Sequence, residues 1–226
     1  MATRADMRAR CLAELRRADL SAQVDQAIAT AISEYQNSRF RFSDIDPAAP
    51  PTFTTVPGQA IYSATECPEI ATLKSFDYVI LNVNNTLYYL YQQDVVATKL
   101  YNEIGPEMMG IPDCFSYEGD KLILSPIPNQ AWQCMLGIWQ QVAAPVTDAE
   151  ANNPWMNKGE LLIRSRVKFE IATHVTRNAA MAQAMSPDPP NENGGIVGQA
   201  WRAWRTLKGE AARATTVGNR VKPMVF

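Results

Sequence analysis

The sequence predicts an α+β protein in which helices from both ends of the chain form a bundle around an antiparallel, β-rich insert. Apolar residues recur every three or four positions at the two ends, whereas β-branched and aromatic residues alternate with polar ones in the middle. Prolines cluster at 46–51, where the first pattern gives way to the second. We therefore place a helical domain over 1–42 and 151–213, the β-rich insert over 43–150 and an extended C-terminal tail over 214–226.

The N-terminal region predicts two amphipathic helices. Residues 3–17 place apolar side chains on one face, with Thr3 as a plausible N-cap. Asp19 or Ser21 can cap a second helix, whose apolar stripe extends over residues 20–35.

The segment "RFRF" at 39–42 follows the second helix and alternates basic with aromatic residues. Such a pattern can stack on nucleic-acid bases. A short strand with Phe40 and Phe42 on one face is the commoner structure for this pattern, and we favour it.

The middle of the chain predicts short strands separated by turns. Pro57-Gly58-Gln59 indicates a turn between two strands of a hairpin, and Asn84-Asn85 divides a second β-rich run over 76–91. A helix fits residues 92–104. Three antiparallel strands are expected at 114–117, 122–124 and 132–142.

The last third returns to a helical pattern over 154–185 and 198–213. Asn153 is a natural N-cap, Pro154 suits the first helical turn, and Trp155 is expected to anchor the helix start against the β insert. In the final helix Trp201 and Trp204 share a face, with the basic residues off it.

Charge is distributed unevenly although the net charge is only −2. Residues 1–17 carry five arginines and residues 198–226 carry six basic residues, whereas residues 42–157 hold three lysines against thirteen acids. Near-neutrality argues against a protein that mainly coats nucleic acid. Basic ends and an acidic middle indicate that the two regions face different partners.

Residues for catalysis or metal binding are scarce, and we predict no enzyme, metal or cofactor. The four cysteines form no Cys-x-x-Cys pair, and we expect four free thiols, mostly buried. His174, the only histidine, lies inside a predicted helix without an evident chemical partner, and no serine occupies a Gly-x-Ser-x-Gly motif. "NGGIVG" at 193–198 follows a linker instead of a strand, which disfavours phosphate binding.

Neither a signal-peptide pattern nor an apolar run of eighteen residues is present, so we expect a protein that is made in the cytoplasm and does not contact a membrane. One functional alternative follows from the arginine-rich ends, which could grip DNA or RNA as in a nucleic-acid-binding regulatory protein.

Four segments together resemble the head-to-tail adaptor (connector) proteins of tailed bacteriophages. They are "AIATAISEYQNSRFRF", "TVPGQAIY", "MGIPDCFSYEGDKLILSPIPNQAWQCMLGIWQQVAAP" and "NNPWMNKGELLIRSRVKFEI". The resemblance covers residues 7–185 and consists of packing and turn signatures, with no catalytic motif. The chain departs from the pattern in its long loop at 186–195.

This resemblance implies a structural virion protein at the head-tail junction. Such adaptors form a ring, usually of twelve copies, that docks beneath the portal protein and offers its lower face to a tail or nozzle protein. Double-stranded DNA passes through the ring during ejection. Copies are made in the host cytoplasm before they join the virion.

The resemblance also implies roles for named residues. In these families the C-terminal segment commonly reaches the portal, which makes portal-binding candidates of Arg213, Arg220, Lys222, Met224, Val225 and Phe226. Helical cations suit contacts with a neighbouring subunit, and the candidates are Arg8, Arg16, Arg164, Arg166 and Lys168. Deleting 214–226 is expected to weaken portal docking with little effect on thermal unfolding.

Overall fold

The computed structural model describes residues 3–46, 48–104, 109–190 and 197–218, with the backbone alone at 104 and 214–218. The chain divides into two compact units. The first, Met1–Ser43 with Val142–Phe226, is the helical unit, and the second, Asp44–Gln141, is the β unit. Helices and two sheets in one chain confirm the mixed α+β class.

The helical unit is built around one central helix. Its helices are α1 (Arg4–Leu15), α2 (Ser21–Tyr35), α4 (Pro154–Asn157), α5 (Glu160–Glu170), α6 (Ala179–Met185) and α7 (Gln199–Gly218). The central helix, α5, contacts the other five. A π-helical turn, Ile171–Val175, follows it directly.

The two N-terminal helices form where the sequence predicts them, but the predicted cap of the second by Asp19 or Ser21 is wrong, because Leu20 occupies its N-cap position without a side-chain hydrogen bond. Thr3 and Asp6 make a reciprocal capping box at the start of α1. The stripe of α2 is buried at every position, namely Leu20, Val24, Ala27, Ile28, Ala31, Ile32 and Tyr35. Each large aliphatic side chain buried there contributes about 1.5–3 kcal/mol, so packing accounts for most of the stability of this helix.

The predicted strand at 39–42 is wrong. Arg41–Ser43 form a 3₁₀ turn, because the Ser43 hydroxyl accepts a hydrogen bond from the Phe40 N–H and donates one to the Phe40 carbonyl. The rings of Phe40 and Phe42 are stacked with their centroids 5.2 Å apart. Phe40 is fully buried, which leaves its ring unavailable to a nucleic-acid base.

Trp155 packs inside the helical unit, and of the insert predicted over 43–150 it meets the C-terminal end at Val142, which the structure assigns to the helical unit. Its ring meets the edges or faces of Phe40 and Phe42 at centroid distances of 5.8 and 5.1 Å. Its indole Nε1–H donates to the Val142 carbonyl at 2.9 Å. The predicted start of this helix is otherwise confirmed, because the Asn153 side chain caps the Trp155 N–H.

The described residues of the β unit form eight strands in two sheets of four, one α-helix and a 3₁₀ turn at Pro68–Ala71. The strands are β1 (Thr52–Thr54), β2 (Ile61–Tyr62), β3 (Leu73–Val83), β4 (Thr86–Tyr89), β5 (Tyr91–Gln92), β6 (Cys114–Glu118), β7 (Lys121–Ser125) and β8 (Gln133–Gln140). One sheet has the order β1-β8-β3-β4 and the other β2-β7-β6-β5. The helix, α3 (Val95–Ile104), contacts β6 and β7.

Strand pairing differs from the predicted hairpins at two places. The turn at Pro57-Gly58-Gln59 exists, with Gly58 at φ +81°, but β1 pairs with β8 and β2 with β7, in different sheets. Likewise β6 and β7 form a hairpin, whereas β8 joins β3 in the other sheet. The alternation of apolar and polar residues indicates which face of a strand is buried, but it does not indicate which other strand lies beside it.

The Asn84-Asn85 turn is confirmed and joins β3 to β4, with both residues at positive φ. This backbone suits asparagine and matches the twist of a two-residue hairpin. Earlier in β3 the register shifts between Phe76 and Tyr78, and the Tyr78 ring covers its partner Gly137 of β8. A Cβ atom at 137 would overlap that ring, so glycine is required there for the aromatic to pack.

The helical pattern of 154–185 is broken in two places, and the last helix is longer than predicted. Lys158 caps the end of the short α4 and Gly159 stands at the start of α5, and Arg177 at φ 52° separates the π-helical turn from α6. Helix α7 continues to Gly218, so the extended tail predicted from 214 is helical over its first five residues. Gly198 packs closely on the Ser186 backbone, and a Cβ atom at position 198 would overlap that backbone. Only glycine therefore fits at this position without a shift of the chain.

Candidate assembly surfaces

Two predicted interface cations, Arg164 and Lys168, join α5 to α1 through one carboxylate. Lys168 Nζ lies 2.7 Å from one oxygen of Glu14, and Arg164 lies 3.0 Å from the other. The Lys168 side chain is only 9% exposed, because α1 covers the face of α5 on which it lies. Glu160 extends the network by accepting from Arg10 at 2.6 Å.

Arg8 and Arg166 are also engaged within the subunit. Arg8 binds Asp25 at 2.7 Å and Asp148 at 2.6 Å, and these hydrogen bonds raise the pKa of its guanidinium above the usual range. Arg166 binds Glu34 and Glu170 at 2.8 and 2.7 Å. These cations therefore hold α1, α2 and α5 together, and their contact with a neighbouring subunit stays a prediction.

Arg16, the fifth predicted interface residue, is exposed at the end of α1 and has a left-handed backbone at φ 53°. A non-glycine residue costs about 1 kcal/mol in this conformation. We expect Arg16→Gly to raise the free energy of unfolding by about 0.5–1 kcal/mol in urea denaturation. Arg16→Ala is the control that removes the cation and keeps the strain, and equal stability of the two variants would contradict the prediction.

The portal-binding candidates fall mostly outside the described residues. Arg213 lies exposed on α7. The other five, Arg220, Lys222, Met224, Val225 and Phe226, lie beyond the described end at 218. Their role at the portal stays a prediction.

A shallow groove runs along the exposed face of α7. Arg202, Arg205 and Arg213 line it, together with Thr206, Gly209 and Glu210. The opposite face packs on the helical core through Ala203, Trp204 and Leu207, and the Trp201 ring stacks on that of Trp204 with their centroids 4.9 Å apart. This arrangement follows the predicted division of the helix into an apolar and a basic face.

Lys208 departs from that division. Its ammonium group lies 5.8 Å from the ring centroids of both Phe40 and Trp204 and donates to the Arg39 carbonyl at 3.3 Å. The lysine therefore turns toward the apolar side of α7, where cation–π contacts and the carbonyl hold it.

One surface was missed from the sequence. Seven of the fourteen large apolar side chains that are exposed in the described ranges lie within fifteen consecutive residues of the β unit. We call these seven the apolar edge: Leu87, Tyr88, Tyr89, Tyr91, Val96, Leu100 and Tyr101. A signal was available, because residues 78–93 contain no charged side chain.

Groups suited to covalent chemistry are inert or isolated. Burial raises the pKa of the Cys11 thiol to about 12 and of the Cys67 and Cys114 thiols to about 11, so thiolate is scarce near neutral pH. All four cysteines are free, as predicted. His174 is 64% exposed, with Glu170 at 3.6 Å.

Within the described ranges, no group of three His, Cys, Asp or Glu side chains could hold a metal ion. None of the helices in this part of the chain combines the length and the apolar character that a membrane span requires.

A family model matches nearly the whole chain. Residues 2–221 match the model of a family described as "SU10 adaptor protein". No curated protein matches the chain.

Proposed function

The chain belongs to the SU10 adaptor protein family, and from this premise we propose that it is a head-to-tail adaptor of a tailed bacteriophage virion. In this proposal about twelve copies form a ring beneath the portal, and the ring binds a tail or nozzle protein below and lines the channel for double-stranded DNA. Family membership is the observation that carries the proposal.

The charges of the two units support assembly into a ring. Asp44–Gln141 hold eleven acids and three lysines, whereas the helical unit holds twelve acids and eighteen basic residues. A ring needs two different, complementary faces on each subunit. Oppositely charged units supply such faces and also disfavour contacts between like units.

The acidic β unit is also compatible with passage of DNA. Carboxylates that face a channel repel phosphates and keep the polymer from adhering to the wall. The β unit is the part of the chain that has the necessary excess of acids.

The nucleic-acid-binding regulator is less well supported. Arginines that grip phosphates must be available to them, but at the N-terminal end Arg8 binds two carboxylates, and Arg10 and Arg17 bind one each, within the subunit. At the C-terminal end Arg205 and Arg213 are exposed, so this objection applies to the N-terminal arginines. Phe40, which would have to stack on a base, is buried.

Reconstitution with the cognate portal tests the proposal. Purified chain is mixed with purified portal rings, and complexes are analysed by electron microscopy and native mass spectrometry. We expect a ring on one face of the portal with the mass of about twelve 25.1 kDa subunits. Portal rings that stay bare at a large excess of the chain would refute the adaptor role.

The C-terminal segment gives a second prediction. Because α7 extends to Gly218, the sharper deletion removes only 219–226 and keeps the whole helix. We expect thermal unfolding to change by less than about 2 °C, since the helical core is untouched. Portal affinity should fall at least about tenfold, measured by titration of labelled portal.

A matched variant separates charge from length in this experiment. Arg220→Ser with Lys222→Ser keeps the apolar end of the segment and removes both of its cations. An intermediate affinity is expected for it. Full portal affinity after deletion of 219–226 would exclude a role for the segment in docking.

A further inference from the structure

The apolar edge lies where both sheets of the β unit end. Strand β4 is the outer strand of one sheet and β5 is the outer strand of the other, and the chain passes directly from one to the other. All four residues of β4 are exposed, and Tyr91 of β5 is 77% exposed. Two open sheet edges therefore meet in one uncharged stretch.

Exposed sheet edges are normally protected by lysine, proline or a covering element, because unpaired backbone groups recruit other chains. Residues 86–92 contain no charged residue and no proline. An unprotected apolar edge of this kind is typical of a surface that is covered in an assembly.

Helix α3, which follows β5, buries polar side chains and exposes apolar ones, the reverse of the arrangement in a helix at a protein surface. It buries Thr98 completely and directs the Asn102 amide to the Leu124 carbonyl at 3.0 Å. Val96 and Leu100 are 64% and 51% exposed. These exposed apolar side chains form the helical part of the apolar edge and indicate that a partner also covers α3.

The charge around this surface restricts the partner. A groove at the edge is lined by Tyr88, Tyr89, Tyr91 and Ile111 together with the exposed Asp113, and the Asp113 carbonyl accepts the Tyr91 N–H at 2.9 Å. An acidic unit that presents tyrosines suits a partner with arginines, whose planar guanidinium groups stack on aromatic rings and pair with carboxylates. The exposed face of α7 presents arginines in the same chain, at Arg202 and Arg205.

We propose that the apolar edge of one copy packs against the first half of α7, residues 199–209, of the next copy. The tyrosine rings lie against Arg202 and Arg205, and Asp113 faces these cations. This contact joins unlike surfaces and can close into a ring. It rests on the proposed adaptor function and identifies the subunit contact within it.

Site-specific photocrosslinking tests the contact. The chain is produced with p-benzoylphenylalanine at position 91, once in ¹⁴N and once in ¹⁵N medium, and the two are mixed and assembled on portal rings. We expect crosslinks between light and heavy copies that join position 91 to peptides from 199–209. Crosslinks that lead only to the portal, or to the β unit of another copy, would overturn the proposal.

Charge exchange gives an independent readout. Arg205→Glu should reduce the yield of rings at least tenfold, and adding Asp113→Arg should restore most of it. Ile61→Ser is the matched control, because Ile61 is 48% exposed on a different outer strand, and its ring yield should equal that of the unaltered chain. Circular dichroism should show that all variants are folded, since every altered side chain is exposed.

The outcomes separate the two proposals. An unaltered chain that forms no ring on the portal refutes the adaptor function and, with it, this contact. Rings that form normally while Arg205→Glu has no effect and position 91 crosslinks elsewhere refute the contact alone.

Discussion

Replacing Trp155 with alanine is expected to lower the free energy of unfolding of the helical unit by about 3–5 kcal/mol, the range for a large aromatic removed from a core. The side chain is 1% exposed and makes edge contacts with the stacked rings of Phe40 and Phe42, which lose them on truncation. The indole hydrogen bond to Val142 is lost as well. Urea denaturation followed by circular dichroism measures the change.

Two variants show where the effect of Trp155→Ala originates. Trp155→Phe keeps a ring and removes the indole donor, so it should cost about 1–2 kcal/mol in hydrogen-bond energy and lost volume. Trp201→Ala, at a half-buried position on α7, should cost clearly less than Trp155→Ala. An equal decrease in the free energy of unfolding for Trp155→Ala and Trp201→Ala would contradict the central position of Trp155 in the core.

Glu14→Ala is the second large effect that we expect. It leaves the Lys168 ammonium nearly buried and without a carboxylate partner among the described residues. Breaking a buried ion pair from one side costs roughly 3–5 kcal/mol, and because the Glu14 side chain is 37% exposed we expect about 2–3 kcal/mol. The free energy of unfolding in urea is the measured quantity.

Glu34→Ala is the matched control for this prediction. Glu34 also binds a cation of α5, but its partner Arg166 keeps Glu170 one turn away, so the cost should stay below about 1 kcal/mol. Combining Glu14→Ala with Lys168→Met should recover at least about 1 kcal/mol relative to Glu14→Ala, since no unpaired charge then remains buried. A double variant that is less stable than both single variants would contradict the explanation.

The sequence predicted those features that depend on local chemistry. Caps at Thr3 and Asn153, the turn at Asn84-Asn85 and the buried stripe of α2 follow from residue type and spacing within a few positions. The resemblance of four segments to head-to-tail adaptors is confirmed by the family match over residues 2–221. Each of these signals is contained in a short stretch of chain.

Errors arose where the structure depends on distant partners. Strands β1 and β2 flank one turn but join different sheets, because each pairs with residues at least sixty positions later. Trp155 packs on Phe40 and Phe42, which a sequence pattern cannot bring together with it. Lys168 is assigned from the sequence to a contact with a neighbouring subunit, but its residue type does not show that Glu14 on another helix pairs with it at 2.7 Å.

The order in which the two units become available during synthesis follows from the insertion of one unit into the other. About 125 residues separate the end of α2 from the start of α5, its packing partner, and at 5–20 residues per second the ribosome needs roughly 6–25 s to supply them. All of the β unit emerges in this interval. A nascent chain therefore completes its β unit while the apolar stripe of α2 is still uncovered, and chaperones that bind exposed apolar helices have their opportunity during this time.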